Sequence, residues 1–176
     1  QFFVTSSRTT CWNPVLSSSG TNNGSTNDEN PNRVYYSKLQ QPEAVPILNY
    51  VDAGSRSNEI LRIIPLRDSV FILKEDGLFR IIGEDPSSLR ISLFDNTVKL
   101  LSIESAVEMN NQIYCYTDQG IAAISDNGVE VISRPIEDQI QQREIIQNFF
   151  TTSFGVSYEV DRKYLFYCKA LATDTY

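Results

Sequence analysis

Short runs of alternating apolar and polar residues, separated by turn residues, fill much of the chain, and this pattern predicts antiparallel β-strands. The run from Asp68 to Ile81 indicates two strands joined by a tight turn at Gly77. We expect a three-residue hairpin loop, in which the glycine takes a positive φ. The run from Asn111 to Ile124 repeats this pattern 43 residues later, with Gly120 at the turn. The chain therefore contains a repeated hairpin.

Weaker copies of the hairpin's first strand occur at residues 32–37 and 161–168. A hairpin repeat of about 40 residues is typical of a β-propeller blade. We therefore expect an all-β fold of irregular, propeller-like blades. Strands are also predicted near the amino terminus and at the flanks of the two clear hairpins. They are residues 1–12 (a broken pair), 60–66, with Pro65 placing the far end at a sheet edge or a bend, 88–94, 105–109 and 129–133.

Two segments depart from the strand pattern. Residues 17–32 have no large apolar side chain and predict a solvated polar loop insertion. Residues 135–150 place apolar side chains near a helical period and begin with Pro135 and two acids, which predicts a helical insertion. This helix would either shield the edge of a blade or contact another subunit.

The chain has 176 residues, of which 41% are hydrophobic, so it can bury a core as one β domain, residues 1–176. A propeller needs about four blades to close, and the repeats account for about three and a half. We therefore interpret the chain as part of a longer propeller protein. A complete small β-sandwich with ordinary hairpins is the alternative.

The charge and the composition argue against several functions. The net charge is −7, the 15 Lys and Arg residues are scattered, and there is no histidine. Sequence-specific nucleic-acid binding needs a basic face, and the commonest general base is missing. The adjacent carboxylates Glu75-Asp76, Glu84-Asp85 and Glu137-Asp138 lack any sign of a facing glycosidase pair. The sequence predicts no enzyme and no catalytic, cofactor-binding or metal-binding residue.

Cysteine spacing and hydropathy bear on the compartment. The chain has three cysteines, Cys11, Cys115 and Cys168, without the spacing of a metal site. An odd number of cysteines argues against a disulfide framework, which indicates folding in a reducing cytoplasm. No apolar run reaches the length of a membrane-spanning helix, so no membrane association is expected.

Six tyrosines lie within the predicted strands, where they alternate with aliphatic residues. They are either core and rim residues or, if they are exposed around one cleft, a carbohydrate-binding platform. The second possibility supports an alternative function, a carbohydrate-binding or carbohydrate-degrading β-propeller in host attachment. The six are Tyr35, Tyr36, Tyr114, Tyr116, Tyr164 and Tyr167.

Three segments carry a resemblance to a known family. They are residues 30–38 continuing into 41–46, residues 66–80, and residues 132–137. Together they resemble the tail nozzle, or tail hub, proteins of short-tailed bacteriophages, which carry irregular β-propellers.

This resemblance implies a structural virion protein in the phage tail, assembled in the host cytoplasm. Such proteins form a homo-oligomeric ring, usually a hexamer, that extends the DNA ejection conduit below the portal and adaptor. The implied partners are further copies of the chain, the tail adaptor and fibre or spike proteins, while DNA passes only transiently. An acidic chain suits this role because a basic lining would retain the DNA. A cellular WD-type propeller is disfavoured, because Gly-His and Trp-Asp dipeptides are missing.

Overall fold

The computed structural model describes residues 3–5, 30–38, 41, 44–46, 48–67, 69–83, 88–144 and 148–169. Within these ranges the chain is mostly β-sheet, as expected of an all-β protein. Two α-helices and two short 3-10 helices, Arg134–Ile136 and Glu159–Asp161, interrupt the strands. The strands and α-helices are β1 Phe3–Thr5, β2 Arg33–Tyr36, β3 Tyr50–Asp52, β4 Ile60–Leu66, β5 Ser69–Lys74, β6 Gly77–Ile82, β7 Arg90–Asp95, β8 Leu100–Met109, β9 Gln112–Thr117, β10 Gly120–Ser125, β11 Gly128–Val131, α1 Glu137–Glu144, α2 Phe149–Thr152, β12 Phe154–Tyr158 and β13 Lys163–Tyr167.

The strands form four antiparallel sheets in chain order. The first sheet holds β1 to β3, the second β4 to β7, the third β8 to β11 and the fourth β12 and β13. In every sheet, strands that follow one another in the chain are neighbours, so each sheet is a meander. Strand β4 lies at the edge of its sheet, which is one of the two possibilities, edge or bend, predicted from Pro65.

The repeated hairpin is confirmed with its 43-residue spacing. Strands β5 and β6 correspond to β9 and β10, and Gly77 and Gly120 have φ angles of 140° and 105°. The loop is shorter than predicted: Lys74 pairs with Gly77, so two residues rather than three separate the paired ends. Gly77 is therefore the first paired residue of β6 and not part of the loop. A Cβ atom at Gly120 would lie 2.2 Å from Ser133 Oγ, so this turn also requires glycine for space.

Strand β8 is longer than predicted, because it begins at Leu100 rather than Ser105. Its register against β9 shifts on both sides of Ser102. Inside this irregular stretch, buried Ser105 Oγ donates to the Ser102 carbonyl at 2.6 Å and accepts from the Tyr116 amide at 2.8 Å. The Ser105 hydroxyl thus takes the place of backbone ladder hydrogen bonds at this irregularity. The strand can therefore continue where the apolar alternation stops.

Three hydrophobic cores join the sheets in series. The first core lies between the first and second sheets, and the second lies between the second and third sheets. The third core joins the third sheet to the fourth and to both α-helices. The sheets stack in chain order and are not closed on one another. The fully or nearly buried members include Val34, Ile60 and Ile72 in the first core, Phe71, Leu78 and Ile113 in the second, and Tyr116, Ile140 and Phe149 in the third.

Strands in the middle of the stack are apolar on both faces. In β5, Ile72 belongs to the first core and Phe71 to the second. In β9, Cys115 belongs to the second core and Tyr116 to the third. Neighbouring residues of a strand point to opposite faces, so one strand serves two cores. This explains the near-continuous apolar runs in these strands.

The chain after residue 133 combines helices with an unpredicted strand. The segment predicted as helical, residues 135–150, contains α1 and overlaps the 3-10 helix Arg134–Ile136 and α2, which continues to Thr152. Residues 145–147 lie outside the described residues. Strand β13 falls within the weak repeat copy at 161–168, but β12 was not predicted. Most of the polar loop, at residues 17–29, and residues 6–12 also lie outside the described residues.

Candidate interaction surface

The three adjacent carboxylate pairs lie in different parts of the chain. Glu75 and Asp76 form a hairpin loop, and Glu137 and Asp138 lie in the first turn of α1. Glu84 and Asp85 lie outside the described residues. Among the described residues, no group of three His, Cys, Asp or Glu residues could hold a metal ion. No described helix is long and apolar enough to cross a membrane.

The predicted tyrosines occupy very different environments. Tyr36 and Tyr116 are buried, and Tyr167 is exposed. Tyr114 is partly buried and stacks on Tyr164, with ring centroids 5.4 Å apart. Because Tyr116 is inaccessible, it cannot form part of a carbohydrate-binding platform, which required several of the tyrosines to be exposed around one cleft.

Tyr116 is the centre of the third core. Its ring stacks on Phe166 of β13 at 5.2 Å and meets the edge of Phe149 in α2 at 5.6 Å. Its hydroxyl donates a hydrogen bond to Glu144 at the end of α1. One side chain of the third sheet therefore holds both α-helices and the β12–β13 hairpin.

The hairpin also makes a close backbone contact with β8. A Cβ atom at Gly155 would lie 2.5 Å from the Ser105 carbonyl oxygen, so β12 can approach β8 only through a glycine. The Tyr164 hydroxyl donates to the same carbonyl at 2.8 Å. These contacts fix the inner face of the hairpin against the third sheet.

Burial raises the pKa of three groups in the second and third cores. It raises the pKa of the Cys115 thiol from 9.0 to about 12. Burial also raises the pKa of Tyr116, with a further contribution from its hydrogen bond to Glu144, and raises the pKa of Tyr164. All three groups are neutral in the folded protein at physiological pH, and losing a proton in the core is unfavourable.

Alkaline pH should therefore destabilise the fold. A raised folded-state pKa gives stability that is complete below the unfolded pKa and is lost as the pH rises toward the folded pKa. For Cys115 this window runs from about pH 9 to about pH 12. Within it, the free energy of unfolding should fall by about 1.4 kcal/mol per pH unit for this group. Urea unfolding at pH 7 to 11 measures the slope.

A variant pair isolates the contribution of the thiol. Cys115→Ala should make the decline between pH 9 and pH 10 shallower, because the tyrosines, with an unfolded pKa of 10.0, contribute less than the thiol in this range. Cys168→Ala is the matched control, because Cys168 is only partly buried. An equal slope in wild type and Cys115→Ala would show that the buried thiol does not cause the decline.

A groove of about 480 Å³ lies beside β13. Tyr164, Phe166 and Met109 line it with apolar surface, and Arg162 and Lys163 stand at β13's beginning. Among the described residues, no carboxylate lines the groove.

The outer face of the β12–β13 hairpin is exposed and apolar. Phe154 pairs with Tyr167 and Val156 with Leu165, so their side chains form contiguous rows. Phe154 and Tyr167 stack at 4.9 Å. We call this surface the fourth-sheet face; its members are Phe154, Val156, Tyr158, Leu165 and Tyr167, each 42 to 62% exposed. Exposed apolar patches of this kind mark interaction sites.

The opposite end of the stack presents a second surface, which we call the first-sheet face: Arg33, Tyr35, Tyr50 and Asp52. These residues lie opposite the face of Val34 and Val51, which belong to the first core. Arg33 lies 3.6 Å above the Tyr50 ring and makes two hydrogen bonds to Asp52, at 2.8 and 3.1 Å. The pairing with Asp52 raises the pKa of Arg33.

Comparison of the chain with protein-family models and with curated proteins gives no match. The geometry of the described residues therefore carries the functional argument.

Proposed function

We propose that this chain is a structural, non-enzymatic protein: a set of β-propeller-like blades in a phage tail nozzle or hub ring, which extends the DNA ejection conduit. The observation that carries this proposal is the serial, face-to-face stacking of four meander sheets. A stack of this kind makes a scaffold with extended contact surfaces and does not by itself create a catalytic pocket.

The order of contacts supports a blade arrangement. The first strand of each sheet lies against the first strand of the next: β1 against β4, β4 against β8, and β8 against β12. In a propeller, the first strands line a central axis and the later strands of each blade point outward. The 43-residue repeat, which aligns β5 and β6 with β9 and β10, supports the same arrangement.

Polar bridges between sheets support a rigid scaffold. Asp126, in the β10–β11 turn, accepts a hydrogen bond from Arg80 of β6 at 2.9 Å. Arg62 of β4 donates to the Ile103 carbonyl of β8 at 3.1 Å. A ring that holds and releases DNA must keep its shape, and such bridges limit sliding between neighbouring sheets.

The charge agrees with a conduit that DNA passes through without being retained. The net charge is −7, and each phosphate contact that a protein makes with DNA contributes to affinity. The predicted adaptor and fibre partners remain part of the proposal. The carbohydrate-binding alternative is less well supported, because Tyr116 is buried.

Electron microscopy of the purified chain at low and high concentration tests the proposal. We expect ring-shaped particles with a fixed number of copies, and no sequence-specific binding to DNA. The matched biochemical check is a gel-shift assay in which the salt dependence and the affinity are compared between two unrelated DNA duplexes. Particles that remain monomeric at high concentration, or a clear preference for one duplex, would contradict it.

A further inference from the structure

Lys74, the last residue of β5, has a completely buried side chain, which is rare for a lysine unless its ammonium is paired. The ammonium donates hydrogen bonds to the carbonyl oxygens of Ala53, at 2.8 Å, and Ser55, at 2.9 Å. Asp76 Oδ1 lies 3.3 Å from the ammonium, and the centre of the Phe79 ring lies 5.3 Å from it. Two carbonyl oxygens, a carboxylate and an aromatic ring therefore surround one cation.

These surroundings match a primary ammonium ion better than a metal ion. The two carbonyl distances fall within the range of N–H···O hydrogen bonds, about 2.7 to 3.2 Å, and exceed the range of about 2.3 to 2.6 Å for Ca²⁺ ligands. A primary ammonium has three N–H donors, so it can serve both carbonyl oxygens and still face the carboxylate. The ring adds attraction, because a cation within about 6 Å of an aromatic face is stabilised by its π-electrons.

The loop that supplies the two carbonyl oxygens is held by contacts that do not involve Lys74. Gly54, which separates them, has a φ of 61°, and a Cβ atom there would lie 2.4 Å from Phe79 Cζ. The Gly54 carbonyl accepts a hydrogen bond from Asn32 Nδ2 at 3.0 Å. The Ala53 amide donates to the Asn32 carbonyl at 2.8 Å. The oxygens should therefore stay in place when the lysine side chain is shortened.

We propose that these oxygens form a binding site for a primary alkylammonium ion, which the Lys74 side chain fills in the wild-type chain. Once the lysine is shortened, the site accepts a free amine of matching length. The amine can enter from solvent, because Ser55 is exposed and the Asp76 side chain is 28% exposed. The filled site joins two sheets, since Ala53 and Ser55 follow β3 of the first sheet, whereas Lys74 and Asp76 belong to the β5–β6 hairpin of the second.

Urea unfolding of Lys74→Ala in the presence of propylammonium chloride tests the proposal. The substitution removes three methylene groups and the ammonium, and propylammonium supplies the same number of carbon and nitrogen atoms. Lys74→Ala should have a lower urea midpoint than wild type, and propylammonium should restore about half or more of the loss. Because the amine binds only the folded chain, the midpoint should keep rising with the logarithm of its concentration.

Three controls separate a cation site from a cavity and from a salt effect. With Lys74→Ala, 1-propanol and sodium chloride at the same concentration should each restore less than propylammonium. Lys74→Met fills the space with its own side chain, so propylammonium should not restore its midpoint. Lys163→Ala is the matched variant, because Lys163 also pairs with an aspartate two residues away, at 3.0 Å, but in solvent. Propylammonium and sodium chloride should affect Lys163→Ala equally.

A double variant and hydrogen exchange test the two parts of the site. Adding Asp76→Asn to Lys74→Ala removes the opposite charge, so the advantage of propylammonium over 1-propanol should shrink. The Ala53 amide should exchange faster in Lys74→Ala than in wild type, and propylammonium should slow it again. If Lys74→Ala is unfolded in buffer, propylammonium should refold it, which circular dichroism measures.

Two outcomes would overturn the proposal. Equal recovery of the midpoint with propylammonium and 1-propanol would show an apolar cavity in place of a cation site. A Lys74→Ala variant whose midpoint, or whose refolding, does not respond to propylammonium would show that the oxygens do not hold an ammonium without the lysine backbone.

Discussion

Replacing Lys74 with methionine should lower the free energy of unfolding by about 3 to 5 kcal/mol, because it removes two hydrogen bonds from a charged donor, each worth about 1.5 to 3 kcal/mol. The Lys74 side chain is completely buried. Its ammonium donates to the carbonyl oxygens of Ala53 at 2.8 Å and Ser55 at 2.9 Å. It also lies 3.3 Å from Asp76 Oδ1, which is buried and makes no hydrogen bond within the described part of the chain. Urea unfolding at pH 7 measures the loss.

The cost arises because methionine keeps the packing but leaves the Ala53 and Ser55 carbonyl oxygens without a donor and the Asp76 carboxylate without its counter-charge. Lys163→Met is the matched control, since Lys163 also pairs with an aspartate two residues away, but in solvent. Its effect should stay within about 0.5 kcal/mol. Adding Asp76→Asn to Lys74→Met should recover part of the loss, because the uncompensated carboxylate is then removed. A loss below about 1 kcal/mol for Lys74→Met would show that water replaces the ammonium.

Lys74 also shows where sequence reasoning reaches its limit. A lysine at the end of a strand, beside a glutamate and an aspartate, has the pattern of a solvated turn residue. Its burial depends on the segment after β3, whose carbonyl oxygens surround the ammonium only in the folded chain. Nothing local to residues 74–77 indicates that contact.

Features with a local cause were predictable. The β5–β6 and β9–β10 hairpins follow from apolar alternation and from glycines at two turns, Gly77 and Gly120, and the structure has them at the predicted positions. Strand β8 was predicted too short, because its extension depends on hydrogen bonds from Ser102 and Ser105 rather than on apolar side chains.

The candidate surface was harder to predict than the hairpins. In β12, Phe154, Val156 and Tyr158 alternate with small residues, which is a strand signal that was available in the sequence. The copy at 161–168 was identified without its partner strand. Which tyrosine is buried depends on sheet order: Tyr116 and Tyr167 occupy similar apolar strands, yet one is inaccessible and the other is 62% exposed.

Replacing Tyr116 with alanine should cost about 3 to 5 kcal/mol of unfolding free energy, the range for truncating a large buried aromatic side chain. The change removes the ring contacts to Phe149 and Phe166 and the hydrogen bond to Glu144. These contacts hold the β12–β13 hairpin on the third sheet. The substitution should therefore loosen the hairpin in the folded state as well as lower the global free energy of unfolding. In hydrogen-exchange measurements, the variant's amides in β12 and β13 should exchange faster than in wild type, and this increase should be larger than the increase in β5 and β6.

The conservative variant separates the ring from the hydroxyl. Tyr116→Phe keeps every ring contact and loses the hydrogen bond to Glu144, so it should cost about 1 to 2 kcal/mol. Tyr167→Ala is the exposed control; its ring touches Phe154 on the outer face, and its removal should cost less than about 1 kcal/mol. If Tyr116→Phe were as costly as Tyr116→Ala, the hydroxyl would be the main contact. If Tyr116→Ala left exchange in β12 and β13 unchanged, the hairpin would be held by Gly155 and Tyr164 against β8 instead.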